Sequence, residues 1–167
     1  MSSSSVEIYR LRIRLSDGRI EAEALDAIAS AAEECGDLCL SYTSSADLHV
    51  PEVPAHRVDD LRARIGEHVD PERVDTVPSP VAEEKPVTDR PTRIGWFGGD
   101  DGLVELGTRT PGSMLSARQA RFLAAIGVPL TFTARREILI TGLGEGVAET
   151  VVRVLAPMGF VFDADAP

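Results

Sequence analysis

Two short polar turns carry the residue types best suited to chemistry. The first holds Thr43, Ser45 and Asp47, with His49 two positions further on; the second holds Thr133, Arg135, Arg136 and Glu137. Asp47 and His49 lie in a run that alternates apolar and polar residues, so both side chains leave the strand on one side. A carboxylate that orients an imidazole is what a general base requires, and this makes Asp47 and His49 the candidate catalytic pair. Chance spacing on a polar strand face is the competing explanation. Arg135 and Arg136 present guanidinium forks that match a carboxylate or phosphate, against the plainer alternative of a solvated tip or a pair with Glu137. Thr133, Thr43 and Ser45 join the two arginines as candidate ligand-binding residues. Arg12 joins them too, as the middle one of three arginines, Arg10, Arg12 and Arg14, on one strand face, where balancing by neighbouring Asp and Glu is the alternative.

The elements that must position these turns are legible as a repeat. Leu40–Val53 and Leu130–Leu143 superpose at an offset of ninety: Leu40 meets Leu130, Tyr42 meets Phe132, Leu48 meets Ile138, Val50 meets Ile140 and Val53 meets Leu143. Each reads as a hairpin, with alternation on both sides of a polar turn. Tyr9 to Leu15 alternates strictly and predicts a strand with Tyr9, Leu11, Ile13 and Leu15 facing a core. Asp17-Gly18 turns the chain. Helical spacing of Ala24, Leu25, Ile28, Ala31 and Ala32 predicts a helix over 21–34, and Val58, Leu61 and Ile65 predict a second one opening after Pro54. In the second half, 103–106 corresponds to the first strand, 116–126 to the first helix and 146–155 to the second. Arg93 to Phe97 is a candidate short strand, and Gly159–Phe162 a candidate closing strand. The expected fold is α+β, two tandem units of strand, helix, strand, strand, helix related by a pseudo-twofold, at 6–75 and 93–167. Between them, 76–92 holds four prolines and reads as a semi-extended linker.

Composition sets further limits. A formal net charge of -10 argues against nonspecific binding to nucleic acid or an anionic membrane, since a phosphate backbone demands a basic surface. The charge is uneven, with 8 Lys+Arg against 16 Asp+Glu up to Asp75 and 9 against 11 from Thr76 onward, so a local basic site fits the second half. No leader-like or membrane-spanning run is present, which gives a cytoplasmic expectation. Cys35 and Cys39 are the only cysteines, too few for an all-cysteine cluster or zinc site. His56 and His68 flank the second predicted helix without metal-pair spacing. Trp96 and Phe97 beside Gly98-Gly99 suit either stacking on a flat ligand or anchoring the end of the linker.

Three segments, Ile94–Gly107, Leu115–Gly127 and Leu155–Pro167, together with residues 6 to about 70, resemble the nitrite/sulfite reductase ferredoxin-like half-domain family, closest to the paired half-domains of precorrin-3B synthase. The resemblance is stronger in the second half. It implies a place in cobalamin biosynthesis and an oxidoreductase-type ancestry. Departures from the family pattern shape the expectation. The redox domain that follows the first half-domain is replaced by the linker, and no cysteine has the context that holds an iron–sulfur cluster. Thr43, Ser44, Ser45, Asp47 and His49 stand where the family's first turn carries Thr-Ser-Arg, an Asn and a Gln; Arg136 falls on a family arginine. The implied function is a non-redox binding module. It would hold a small anionic ligand, sirohaem or a related tetrapyrrole being the cofactor class the resemblance implies, or dock a catalytic partner protein. The alternative is a small biosynthetic enzyme acting on a carboxylate substrate by acid–base chemistry between the two turns.

Overall fold

The computed structural model describes residues 8–34, 40–42, 47–78, 94–99, 101–133 and 135–162. The first unit runs β1 (Ile8–Ile13), β2 (Arg19–Ile20), α1 (Ala22–Glu34), β3 (Leu40–Tyr42), β4 (Leu48–Pro54), α2 (Ala55–Ile65) and β5 (Val74–Pro78). The second runs β6 (Gly95–Gly98), β7 (Val104–Thr108), β8 (Met114–Leu115), α3 (Ala117–Ala125), β9 (Leu130–Phe132), β10 (Ile138–Leu143) and α4 (Glu145–Leu155). The architecture is α+β with two tandem ferredoxin-like units, as the repeat predicts.

Local chemistry explains where the elements begin and end. Ser116 caps α3: its side chain accepts from the Gln119 backbone N–H at 3.0 Å, while Gln119 Oε1 accepts from the Ser116 N–H at 2.8 Å. That reciprocal pair satisfies two of the donors a helix start leaves open. Pro54 precedes α2 in extended conformation, and Gly66 closes it. The alternation of β1 puts Leu11 and Ile13 on the buried face opposite Val50 and Leu48 of β4, where α2 packs. β7 and β10 repeat this, with Leu106 opposite Ile140. Both pairs carry an irregularity at the same place, between Tyr9 and Leu11 opposite Val53 and Val50, and between Val104 and Leu106 opposite Leu143 and Ile140. An extra residue of this kind strengthens local twist and bends the strand.

The two five-stranded antiparallel sheets have the orders β5-β1-β4-β3-β8 and β2-β9-β10-β7-β6. Each unit therefore lends its two-residue strand to the sheet of the other. Arg19 and Ile20 pair with Thr131 and Leu130, and Met114 and Leu115 pair with Ser41 and Leu40. The turns feeding these strands are alike: Asp17-Gly18 and Gly112-Ser113 each place two successive residues at positive φ, the backbone of a hairpin-type turn. Gly18 O accepts from the Phe132 N–H at 2.7 Å, which ties the first unit's turn to the second unit's β9.

Equivalent residues that touch each other mark the pseudo-twofold. The rings of Tyr42 and Phe132 lie 5.4 Å apart in a tilted arrangement, and Arg121 approaches Asp26, its counterpart on α1, at 3.8 Å. Helices α1 and α3 pack on each other along this seam, with Ala29, Ala32, Ala120 and Ala124 small enough to let them approach. One buried core, from Leu11 to Phe160, runs through both units.

Two elements depart from the sequence reading. Strand β5 runs to Pro78, antiparallel to all of β1 from Tyr9 to Ile13, so 76–78 belong to a sheet edge. Proline is tolerated there because an edge residue owes the ladder no N–H on its outer side. The stretch 159–162 forms a single bridge, Val161 to Arg109, in place of a strand. Most of the predicted linker, from 79 to 92, lies outside the described residues, as do Cys35 and Cys39.

Candidate functional site

On the face of the first sheet turned away from α2, Arg10 and Arg12 of β1 and Arg14 just beyond it meet polar residues of neighbouring segments. Arg12 Nε and Nη2 both reach Asp47 Oδ2, at 2.8 and 2.7 Å. Arg10 Nη1 lies 3.0 Å from His49 Nδ1; a guanidinium can only donate, so Nδ1 accepts and the neutral ring carries its proton on Nε2. Arg14 Nε pairs with Asp75 Oδ2 at 2.9 Å, and its Nη2 donates to the Glu72 carbonyl. Asp47 and His49 are buried, at 5% and 7% exposure. The two candidate catalytic residues thus share one face, and each is held by its own arginine. Arg12 is committed to Asp47.

The second turn is a tightly bonded loop. The Thr133 N–H donates to Glu137 O at 2.9 Å, the Arg136 N–H to Thr133 O at 2.9 Å, and the Glu137 N–H to Thr133 Oγ1 at 3.2 Å. These bonds hold Arg136 at φ 59, a left-handed conformation that costs a side-chain-bearing residue energy and that functional loops retain when their surroundings enforce it. Arg135 Nε lies 3.2 Å from Oε1 of Glu137, which is 3% exposed. Thr133 serves the turn's own backbone. Thr43 and Ser45 lie outside the described residues.

A third cluster sits where the units join. The Tyr42 hydroxyl accepts from the Thr110 N–H at 2.8 Å and lies 2.9 Å from Thr110 Oγ1. Thr110 Oγ1 in turn donates to Met114 O at 2.6 Å, which leaves Tyr42 as the donor to Thr110. Burial pushes the Tyr42 pKa above the ordinary phenol value. Its hydrogen bonds with Thr110 and the positive charges of Arg109 and Arg136 pull the other way. Arg136 of the turn and Arg109 at the end of β7 are thus both close enough to act on one phenol from the other unit. Arg109 is fixed by its backbone, whose N–H donates to Val161 O at 3.3 Å and whose carbonyl accepts from the Val161 N–H at 2.8 Å. Thr108 Oγ1 also donates to Val161 O, at 2.8 Å.

Sequence reasoning missed Tyr42, Thr110 and Arg109 as site residues. One signal was present: Tyr42 breaks the apolar match with Phe132 by a single hydroxyl, and a buried hydroxyl implies a partner. Among the described residues no group of three His, Cys, Asp or Glu side chains is placed to hold a metal ion. No helix among them is long and apolar enough to cross a membrane.

Residues 5–68 match the model of the nitrite/sulfite reductase ferredoxin-like half domain. The match takes in β1 to α2 of the first unit and stops before β5, whereas the family resemblance in the sequence is stronger in the second half. No curated protein is significantly similar in sequence. Among solved structures, the Mycobacterium tuberculosis NirA protein superposes on 93% of this chain with a TM-score of 0.73 at 8% identity. At that identity the likeness is one of fold, and it extends over both units. The chain spans 57% of the length of that NirA chain.

Proposed function

We propose that the two units form a non-redox binding module that grips an anionic ligand at the seam, through Arg136 and Arg109. One observation carries this reading: the positive charges of Arg136, on the turn after β9, and of Arg109, at the end of β7, both act on the phenol of Tyr42, which comes from the other unit and is hydrogen-bonded to Thr110. Arg135, beside Arg136 on the same turn, pairs with Glu137. The bonded Thr133–Glu137 loop keeps Arg136 in place before any ligand arrives, which lowers the ordering cost of binding. The family resemblance supplies the ligand class, a carboxylated tetrapyrrole such as sirohaem, whose peripheral carboxylates suit paired guanidinium forks. In this reading a catalytic partner protein supplies any chemistry on the ligand.

An absorption titration of the protein with sirohaem tests the proposal. A saturable band shift is expected. Charge-assisted hydrogen bonds contribute about 1.5–3 kcal/mol each, so Arg109→Ala with Arg136→Ala should weaken binding by about a hundredfold or more. Unchanged affinity in that double variant, with the fold intact by circular dichroism, sinks the proposal.

A further inference from the structure

The helical side of the seam holds a groove of about 460 Å³, open to solvent and lined by Asp26 and Glu33 of α1 and by Arg118, Arg121, Phe122 and Ala125 of α3. Its two walls carry opposite charge. The α1 wall is acidic, with Glu23 continuing the row, and the α3 wall is basic. Arg121 bridges them, reaching Glu33 at 2.8 Å and Asp26 at 3.8 Å, yet all three side chains stay half exposed. Arg118 stacks on the Phe122 ring at 5.7 Å from its centroid, and Phe122 is 39% exposed. A large aromatic ring left in water amid charged neighbours is a mark of contact surfaces.

The geometry points to a second copy of this chain as the occupant of this groove. A twofold axis laid along the seam, just above it, turns the second copy over so that its α1 lies on α3 of the first, and its α3 on α1. Residues keep their level along the seam under that rotation. Asp26 and Glu33 of one copy then face Arg121 and Arg118 of the other, twice over, and the two Phe122 rings meet near the middle. An isologous contact of this sort needs a self-complementary patch, and a surface with one acidic and one basic wall is complementary to its own rotated image. The wider charge distribution favours the same place. Glu23, Asp26 and Glu33 against Arg118 and Arg121 leave the patch near neutral, whereas two copies with a formal charge of -10 each repel over the rest of their surfaces. The module would thereby present two Arg109–Arg136 sites on the far sides of a dimer.

Sedimentation analysis of the full chain at increasing concentration tests this. The wild type should pass from monomer to dimer, with the equilibrium weakening as salt rises past about 0.1 M, where the screening length falls to about 10 Å. A charge exchange supplies the decisive comparison. Arg118→Glu with Arg121→Glu makes both walls acidic, and Asp26→Arg with Glu33→Arg makes both basic. Each variant alone should be monomeric, and an equimolar mixture should restore the dimer. Phe122→Ser leaves the Arg121–Glu33 pair in place and should still weaken dimerisation at least tenfold, which separates loss of contact from loss of fold. A wild type that stays monomeric throughout, or two charge variants that fail to associate when mixed, overturns the inference.

Discussion

The two units share element order, register and the irregularity in their central strand pair, yet they treat the same position differently. At the head of the second hairpin strand each unit buries a carboxylate, Asp47 in one and Glu137 in the other. In the first unit the counter-charge comes from β1, through Arg12, while in the second it comes from the turn itself, through Arg135. Where the second unit would need an arginine on the strand it has Gly107, opposite Leu139, the counterpart of His49. The first unit thus spends its arginines on its own sheet. The second concentrates them at the tip and at the end of β7, where they act across the seam. A second contrast lies on the outer helices. Arg62 of α2 donates to Thr76 of β5 at 2.6 Å, whereas the matching places on α4 and β6 hold Val152 and Trp96. The repeat preserves the scaffold and lets the polar inventory diverge.

The largest test asks whether the halves are separable at all. Both tyrosines, Tyr9 and Tyr42, lie in the first unit and the single tryptophan, Trp96, in the second, so each half has its own optical probe. Leu11→Ala, at a fully buried position, should cost about 2–5 kcal/mol. With β2 and β8 exchanged between sheets, the tyrosine and tryptophan signals should shift together on denaturant unfolding; two separate transitions would show the exchange to be energetically idle. A middle-sized effect concerns the carboxylates. Arg12→Ala should cost about 2 kcal/mol, less than the roughly 3–5 expected on breaking a fully buried pair, because the Arg12 side chain is 39% exposed. An equal cost for Arg135→Ala would erase the contrast between the units. The smallest is Tyr42→Phe, which makes the axis pair alike and leaves the Thr110 N–H without its partner, at about 1 kcal/mol. The same variant should remove part of an alkaline destabilisation. A folded-state pKa raised by burial means that the unfolded chain releases the phenol proton first, so stability contributed by Tyr42 falls as pH rises past about 10.

Much of this was legible in the sequence, for reasons that the structure makes plain. The ninety-residue offset holds from β3 through α2, because hairpin and following helix are local and their periodicity survives divergence. Ahead of β3 the offset becomes ninety-five; four of those five extra residues are the ones by which α1, with 13, exceeds α3, with 9. Strand β5 was hidden by its edge position, where proline and threonine suffice. The exchange of β2 and β8 could not be read at all, as two residues carry no period. Asp47 and His49 share a face, as their spacing of two predicts. What they meet there follows from pairing with β1, whose Arg10 and Arg12 supply the other half of the same ladder. Arg109 carries no local pattern that sets it apart; only the bridge to Val161 and the fold of the seam bring it to Tyr42.

The lending of strands also imposes an order in time. As the chain leaves the ribosome, the outer edge of β3 has no neighbour until Met114 and Leu115 are made, more than seventy residues after Tyr42. At about 5–20 residues per second that wait lasts roughly 4 to 14 seconds. For that interval a nascent first half carries an unpaired strand edge, the kind of surface through which incomplete chains associate.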